Sequence, residues 1–341
     1  MNDRPSPLDP ISTLALSMPD SMLPSSRPAS PAVSVVICAY TLDRWDDTLA
    51  AIRSVLGQTL PPEQVIVVSD HNPQLFNRLR TLDLPIAVVE NTQQRGLSGA
   101  RNTGVGAATA GVVAFLDDDA VAEPRWLELL TRPYDDADVF ATGGGVEPRW
   151  DVAPDGFPGE FNWVVGCSYT GMPKRRADVR NPIGANMSFR TSAVRAAGGF
   201  NHALGRVGTL PVGCEETELC VRVRRRAASG RVVYEPLAAV RHRVPETRTG
   251  WAYFARRCYS EGVSKAVLCR LEGAETGLSA ERSYTFQTLP RGFVRGIADG
   301  LIRRDASGWK RAARIGIGLA LTGIGFARGS IGGRTRTASD A

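Results

Sequence analysis

The chain has 341 residues, of which 43% are hydrophobic and 22% are charged, as is usual for a globular protein with a sizeable core. This composition excludes a mainly disordered chain, and no apolar run approaches the roughly 20 residues that a membrane-spanning helix requires. The net charge is +6, and the ten basic against three acidic residues beyond residue 290 account for the whole excess. The charge therefore predicts an anionic partner for the C-terminal segment, although no nucleic-acid-binding motif accompanies it.

The first 31 residues are rich in Pro and Ser and lack a basic start followed by an apolar stretch. We expect a disordered leader here, and not a signal peptide. The six cysteines show no CxxC spacing and no zinc-like clustering. They predict reduced thiols in a cytoplasmic protein.

From residue 33 onward, apolar strands alternate with amphipathic helices. Strands are predicted at 33–39, 65–69, 86–90 and 112–116, with helices at 46–57, 75–79 and 98–108. This alternation predicts parallel βαβ units in a Rossmann-like α/β sheet. Tyr40, Asp70 and Asp117–Asp119 follow strand ends. Because parallel strands end at the same edge of a sheet, we expect these residues along one rim.

The second half of the chain has a less regular pattern. The elements predicted there are helices at 125–130, 191–197, 215–228 and 250–270, strands at 139–146, 185–190, 232–234 and 238–242, and two basic amphipathic helices within 281–330. No internal repeat is present. The pattern predicts a mixed region that completes the sheet and ends in helices.

Three adjacent carboxylates, Asp117, Asp118 and Asp119, end the fourth predicted strand. Their mutual repulsion costs stability unless a cation or a charged ligand neutralises it. Divalent cations that bind phosphates prefer one or two carboxylates of this kind. A solvated acidic turn that caps the next helix is the alternative, and the triplet alone does not decide between the two.

A second acidic group, Glu215 and Glu216, opens the helix predicted at 215–228. The residues spaced helically from Glu216 are apolar, so Glu216 is expected to face the core while Glu215 lies on a wetter face. After the glycine-rich loop at 205–213, an inward carboxylate would border a cleft and could act as a general base. The alternative is a favourable interaction of both carboxylates with the helix dipole.

Two weaker signals complete the candidate site. The glycine-rich turn at 96–104 carries Arg101 at a predicted helix start, an arrangement that suits a diphosphate, although an ordinary strand-to-helix turn looks the same. His242 lies at a predicted strand end. A lone histidine is most often structural or exposed, but this one could complete a metal shell begun by Asp119.

In order and spacing, these segments resemble the family-2 inverting glycosyltransferases. The resemblance is carried by residues 34–40, 54–59, 65–70, 96–104, 115–119 and 213–220, and it covers about residues 33–270. Thr41 and Glu216 differ from the family pattern, which usually has Asn and Asp at these positions. The processive Gln-x-x-Arg-Trp motif is absent from residues 251–270, so the transfer of a single sugar is expected.

The resemblance implies a GT-A fold that binds a nucleotide-sugar donor, a UDP- or GDP-sugar, with Mn²⁺ or Mg²⁺. It assigns to the donor Ala39, Tyr40, Asp70, Gly96, Arg101, Asn102, Asp117 and Asp118. It assigns Asp119 and Asp117 to the metal, and His242 is the further candidate ligand. Glu216 would deprotonate the acceptor hydroxyl, with Glu215 as the substitute base.

The expected domains are the leader 1–31, a GT-A domain at 32–275 and a basic helical tail at 276–341. The GT-A domain would divide into a nucleotide-binding half (32–120) and an acceptor-binding half (121–275). The acceptor would be a sugar or a polyprenyl-linked lipid in cell-envelope polysaccharide synthesis. The tail is expected either to bind an anionic membrane on the inner face of the cell membrane or to pack on the catalytic domain as a solvated helical pair.

Two other functions are compatible with parts of the pattern. A nucleotidyltransferase of related fold usually carries a glycine-rich basic loop after its first strand, and residues 39–42 contain no such loop. A non-catalytic sugar-nucleotide-binding protein would need no general base, so the presence of Asp119 and Glu216 argues against it.

Overall fold

The protein is described by a computed structural model for Met1 and for residues 31–202, 204, 213–272 and 283–331. The strands are β1 (Val33–Ala39), β2 (Gln64–Ser69), β3 (Ala87–Glu90), β4 (Val112–Asp117), β5 (Ala120–Ala122), β6 (Val139–Trp150), β7 (Ala177–Asp178), β8 (Asn186–Arg190) and β9 (Arg231–Val244). The helices are α1 (Trp45–Leu56), α2 (Pro73–Arg80), α3 (Leu97–Ala107), α4 (Trp126–Thr131), α5 (Thr191–Ala196), α6 (Glu215–Arg226), α7 (Trp251–Glu272), α8 (Leu289–Ile302) and α9 (Ala306–Ile331).

One sheet with strand order β3-β2-β1-β4-β8-β6-β9-β5 organises these elements, and β7 pairs with β9 outside this path. β1, β2, β3 and β4 are mutually parallel, as the alternating pattern predicted. In the register, Ala39 lies beside Ser69 and Cys38 lies beside Asp117. The predicted rim is therefore confirmed, because Tyr40, Asp70 and the acidic run all leave the sheet at this edge.

Two buried apolar clusters cover the two faces of the sheet. Successive side chains of a strand point to opposite faces. Val35 and Ile37 of β1 accordingly pack in the cluster that contains α1, whereas Val36 packs in the cluster that contains α3. Gly104 of α3 lies against Val36, and a Cβ there would be 2.4 Å from that side chain. The helix can therefore approach the sheet closely.

The mixed half differs from the prediction at several places, one of which is the short strand β7, which was not predicted. The segments predicted as two short strands form one strand, β9, which runs parallel to β6. The pairing shifts after Glu235, where Pro236 supplies no backbone donor, and resumes at Val240. β5 was not predicted because three residues give too short a pattern, and it pairs antiparallel with β9 so that Ala120 lies opposite His242.

The C-terminal helices pack on the rest of the molecule. α9 contacts α7 and α8 along its length. The contacts are close because glycines meet backbone: a Cβ at Gly262 would lie 2.1 Å from the Thr322 carbonyl oxygen, and one at Gly325 would lie 2.0 Å from that of Tyr259. Of the two arrangements expected for the tail, the structure contains the helical pair packed on the rest of the chain. Among the helices of the described ranges, none has the length and apolar character to cross a bilayer.

Candidate active site

The three aspartates that follow β4 have different surroundings. Asp117 is partly exposed and lines a cavity, whereas Asp118 and Asp119 are buried. Arg44 from the loop after β1 bridges the buried pair, with its Nη1 at 2.7 Å from Asp118 Oδ1 and 3.1 Å from Asp119 Oδ2. A partly buried guanidinium therefore offsets part of the repulsion between the carboxylates.

Asp118 is the less well compensated of the two. Its Oδ2 has no hydrogen-bond partner among the described residues. Burial raises the pKa of Asp118 to about 7, with the charge of Asp119 adding to the shift and Arg44 opposing it. An unsatisfied buried oxygen beside two further carboxylates is where a cation or a charged ligand would be favourable.

Asp119 is held by His242. The His242 Nε2 lies 3.1 Å from Asp119 Oδ1, and the β5–β9 pairing creates this contact across 123 positions of sequence. Burial disfavours the charged carboxylate, but His242 and Arg44 outweigh burial and lower the pKa of Asp119. Burial likewise opposes the imidazolium, and Asp119 overcomes it by raising the pKa of His242 to about 10.

The three residues expected to bind the metal lie together. One potential ligand atom from each of Asp117, Asp119 and His242 falls within 4.8 Å of the others. Two carboxylates and an imidazole that gives up its proton to the solvent on metal binding suit a divalent cation such as Mn²⁺, and the orphaned oxygen of Asp118 is adjacent. The residues present therefore fit the metal that the sequence predicts.

The acidic helix start presents its two glutamates differently from the prediction. Glu215 was expected on the wetter face, but it is buried and accepts a 2.7 Å hydrogen bond from Nη1 of Arg101. Glu216 was expected to face the core and to border a cleft. It is partly exposed instead of buried, and it does line the cavity. The helical spacing failed because it cannot anticipate a buried arginine, which reaches Glu215 from α3.

Arg101 connects the two acidic groups. Its side chain is 2% exposed, donates to the Gly184 carbonyl oxygen at 3.0 Å, and has its Nη2 3.7 Å from Asp117 Oδ1. Burial lowers the pKa of Arg101, but Glu215 and Asp117 more than offset burial and keep the guanidinium charged. One fixed cation therefore lies between the candidate metal ligands and the start of α6.

Glu216 has the properties of a general base. Burial, with the charge of Glu215 second, raises the pKa of Glu216 to about 8. No described side chain pairs with its carboxylate, in contrast to Glu215 and Glu218, which bind Arg101 and Arg222. A carboxylate with this pKa can accept a proton near neutral pH. The glycine-rich loop at 205–212 lies outside the described residues.

A cavity of about 970 Å³ joins these groups to the C-terminal helices. Its charged lining includes Asp117, His242, Arg101, Glu215, Glu216, Arg257, Glu261 and Lys265. Its apolar lining includes Phe161, Trp163, Tyr284, Phe286, Leu319 and Phe326. The cavity is therefore polar at the acidic groups and apolar where α9 and the segment before α8 form its wall.

The remaining donor residues lie along the rim at the ends of β1 and β2. Asp70 accepts hydrogen bonds from the Gly96 backbone amide at 2.9 Å and from Asn91 at 2.6 Å, and it therefore fixes the glycine-rich turn. Gly96 has φ +126°, which favours glycine. The Ala39 carbonyl accepts from the Asp70 amide at 2.8 Å. The exposed Tyr40 ring stacks on Arg44, 5.2 Å away.

Asn102 is used differently from its neighbours. Its side-chain amide donates to the Phe200 carbonyl at 2.9 Å and accepts from the Phe200 amide at 2.7 Å. This pairing secures the turn after α5, and Asn102 is not among the residues that line the cavity. A contact of Asn102 with the donor stays a prediction, as do the other donor contacts.

Sequence reasoning missed three residues of the site. They are Arg44, Asn91 and Arg248, whose Nη2 lies 3.9 Å from Asp119. Arg44 follows Tyr40 by four residues, and this proximity to a predicted strand end could have indicated that Arg44 belongs to the site. The position of Arg248 depends on the path of the chain after β9, which no local pattern specifies.

Comparison with solved structures identifies the fold. A mannosyltransferase from Pyrobaculum calidifontis, solved in complex with GDP-Man and Mn²⁺, superposes with a TM-score of 0.55 over 87% of this chain and 88% of its own at 18% identity. The fold is therefore the GT-A glycosyltransferase fold, with additional C-terminal helices, as the sequence predicted.

The sequence relatives identify the family. The family model for glycosyl transferase family 2 matches residues 34–198. A glucosyl-dolichyl phosphate glucuronosyltransferase from Haloferax volcanii is 36% identical over 241 residues, 69% of this chain and 77% of the relative. A pre-mycofactocin glycosyltransferase from Mycobacterium tuberculosis is 28% identical over 260 residues, 72% of this chain but half of the relative. The chain belongs to glycosyl transferase family 2 and is a glycosyltransferase.

Proposed function

We propose that the protein is a metal-dependent, inverting hexosyltransferase that moves one sugar from a nucleotide sugar to a hydroxyl of a lipid-linked acceptor. The observation that carries this proposal is the meeting of two acidic groups at one cavity. Asp117 and His242 of the candidate metal site and Glu216 of α6 all line it. A binding protein without catalysis would have no need of the unpaired, high-pKa carboxylate of Glu216.

The donor would lie with its diphosphate near Asp117, Asp119 and His242. These residues would hold the metal, which when bound supplies positive charge to the leaving diphosphate. Arg101, 3.7 Å from Asp117, adds a fixed cation that offsets negative charge at the same place. Tyr40 and Asp70 on the rim are proposed to contact the nucleoside, as the family resemblance implies.

Glu216 is proposed to accept the proton of the acceptor hydroxyl. As the proton moves to the carboxylate, the acceptor oxygen forms a bond to the anomeric carbon, and the bond from that carbon to the diphosphate oxygen breaks. Attack from the side opposite the leaving group inverts the anomeric centre. Glu215 is unsuited to this role because its carboxylate is already bound to Arg101.

A lipid-linked acceptor is supported by the apolar wall of the cavity. Phe286, Leu319 and Phe326 of the C-terminal segment continue the cavity away from the carboxylates. Such a wall suits an apolar chain attached to the sugar or phosphate that accepts the transfer. The Haloferax volcanii relative is named a glucosyl-dolichyl phosphate glucuronosyltransferase, which is consistent with this acceptor class.

The first experiment is a thermal-shift panel of UDP, GDP, dTDP and their sugar conjugates, each with and without Mn²⁺. A ligand that binds only the folded state raises the Tm. We expect one nucleotide to raise the Tm, and to do so only with the metal. A panel without any response would contradict the nucleotide-sugar proposal. A response that is independent of metal would contradict the role of Asp117, Asp119 and His242.

A further inference from the structure

Helix α9 exposes several of its large apolar side chains. Ile317, Ile324 and Ile331 recur every seven residues and are 45%, 57% and 69% exposed. Ala320 and Ala327 lie between them, Ala313 precedes them on the same side, and all three are exposed as well. Apart from Arg328, the exposed side chains along this side of α9 are therefore apolar over about five turns, a length of about 27 Å.

The opposite side of α9 packs mainly through small residues, with Ile315 and Arg314 buried beside them. A Cβ at Gly318 would lie 2.5 Å from the Phe161 ring, and one at Gly329 would lie 2.8 Å from Ala266 Cβ. In water, a helix buries its large apolar side chains and exposes its small or polar ones. Small residues in the helix interface with large apolar residues outside are typical of helices whose outer surroundings are lipid.

Helix α8 extends this surface. Gly316 lies beside Phe293, since a Cβ there would be 3.7 Å from the ring. Phe293, Val294, Leu301 and Ile302 of α8 are between 39% and 81% exposed. The exposed residues of the two helices therefore form one apolar surface, which we call the outer face of the α8–α9 pair.

The charges around the outer face are mainly basic, although Asp305 between the two helices is exposed as well. Arg291 on α8 and Arg328 on α9 are exposed, and Arg328 follows Ile324 by one turn on the apolar side. Arg295 and Lys310 are also largely exposed, although each has an acidic partner, Glu160 or Asp155. A basic border around an apolar face complements an anionic surface that is apolar beneath its charges.

The outer face also meets the mouth of the cavity. Leu319 and Gly323 of α9 line the cavity and are themselves exposed, and so is Phe286. The exposed surface of the α8–α9 pair therefore borders the cavity opening. This continuity favours a lipid surface over a second copy of the chain, which would cover the opening.

We propose that the outer face of the α8–α9 pair docks on the surface of an anionic lipid bilayer, with the mouth of the cavity at the membrane. The isoleucines and Phe293 would enter the interfacial region, and the arginines would contact lipid phosphates. The docking surface goes beyond the proposed function, since it does not depend on the identity of the donor or on any turnover.

The test is flotation of the full-length protein with phosphatidylcholine vesicles that contain or lack about one-third phosphatidylglycerol. We expect the protein to float with the anionic vesicles at low salt and less at high salt. The double substitution Ile317→Glu with Ile324→Glu should lower the bound fraction at least about tenfold. Arg291→Glu with Arg328→Glu should weaken binding and its salt dependence.

Leu237→Glu is the matched control, because Leu237 is 71% exposed and lies on β9, outside the α8–α9 pair. Its binding should equal that of the original protein. Failure of the original protein to float, or equal flotation of the isoleucine variant, overturns the proposal. So does a dimer in sedimentation experiments that the isoleucine variant abolishes, because the outer face would then join two copies. Since flotation needs no donor, its failure is separate from a failed nucleotide panel.

Discussion

The two acidic groups of the site differ in how cationic side chains offset the repulsion between neighbouring carboxylates. The group after β4 places three carboxylates side by side and offsets them with Arg44 and His242, both in direct contact. The group at the start of α6 offsets only Glu215, through Arg101, and leaves Glu216 unpaired among the described side chains. The first arrangement favours ionised ligands for a cation, and the second keeps a proton acceptor available.

The pKa directions follow this difference. Asp119 has its pKa lowered because His242 and Arg44 together outweigh its burial. Glu216 has its pKa raised to about 8 because burial and Glu215 act in the same direction. The comparison therefore predicts that the group after β4 binds a charged ligand and that Glu216 at the start of α6 transfers a proton.

The largest expected effect comes from Glu216→Gln. Loss of the proton acceptor should lower kcat by about 10²–10⁴-fold, while the affinity for the nucleotide sugar with Mn²⁺ stays within a few-fold. Steady-state kinetics and titration calorimetry measure the two quantities. Glu218→Gln is the matched control, since Glu218 lies on the same helix but binds Arg222 and is not among the residues that line the cavity. Near-normal turnover of the Glu216 variant would move the base elsewhere.

The next effect concerns the metal. Asp119→Asn removes one of three clustered ligand groups and should weaken Mn²⁺ binding by about 100-fold, as followed by the electron paramagnetic resonance signal of free Mn²⁺. Asp118→Asn is the comparison, because Asp118 is adjacent but outside the clustered triad. It should change Mn²⁺ binding by less than about tenfold. Equal losses of Mn²⁺ affinity in both variants would show that the metal responds to the total charge of the acidic run and not to the individual ligand groups.

A smaller effect separates Glu215 from Glu216. Glu215→Gln removes the neighbouring charge that helps to raise the pKa of Glu216 and leaves Arg101 to lower it. Activity that requires ionised Glu216 rises with pH, so this rise should move to lower pH by about one unit. The pH profile of kcat/KM measures the shift, with Glu218→Gln as the control that should leave the profile in place. An unchanged profile would mean that the two glutamates are not coupled.

Most of the fold was predictable because each half of the sheet carries local signals. The β-branched runs of β1, β2 and β4 and the helical spacing of α1 and α3 gave bounds within one or two residues. The strand order and the β5–β9 pairing were not predictable, since they depend on contacts between distant segments. His242 illustrates the limit: the sequence shows a lone histidine, and only the pairing of Ala120 with His242 places it beside Asp119.

The residue types of the candidate site were predictable, but the directions in which the side chains point were not. Carboxylates after a strand and at a helix start indicated the right residue types, yet the faces of Glu215 and Glu216 were exchanged. Helical periodicity describes how apolar residues face a core, and it has no means of weighing a buried ion pair. Arg101 determines which glutamate turns inward, and its distance of 114 positions from Glu215 makes that choice invisible to any local pattern.

The smallest expected effect is on stability, and it tests the raised pKa of Glu216 without reference to catalysis. The unfolded chain releases this proton near pH 4.5, whereas the folded protein retains it up to about pH 8. A raised carboxylate pKa therefore costs stability progressively as the pH rises from about 4.5 to about 8, and the cost is constant above that.

Glu216→Gln removes the ionisation and with it this part of the pH dependence. Relative to the original protein, the variant should gain free energy of unfolding as the pH rises from 5 to 8. Urea unfolding at the two pH values measures the gain, and Glu218→Gln should not show it. A difference that is the same at both pH values would mean that Glu216 is ionised in the folded protein at pH 5 and would remove the basis for its role as the proton acceptor.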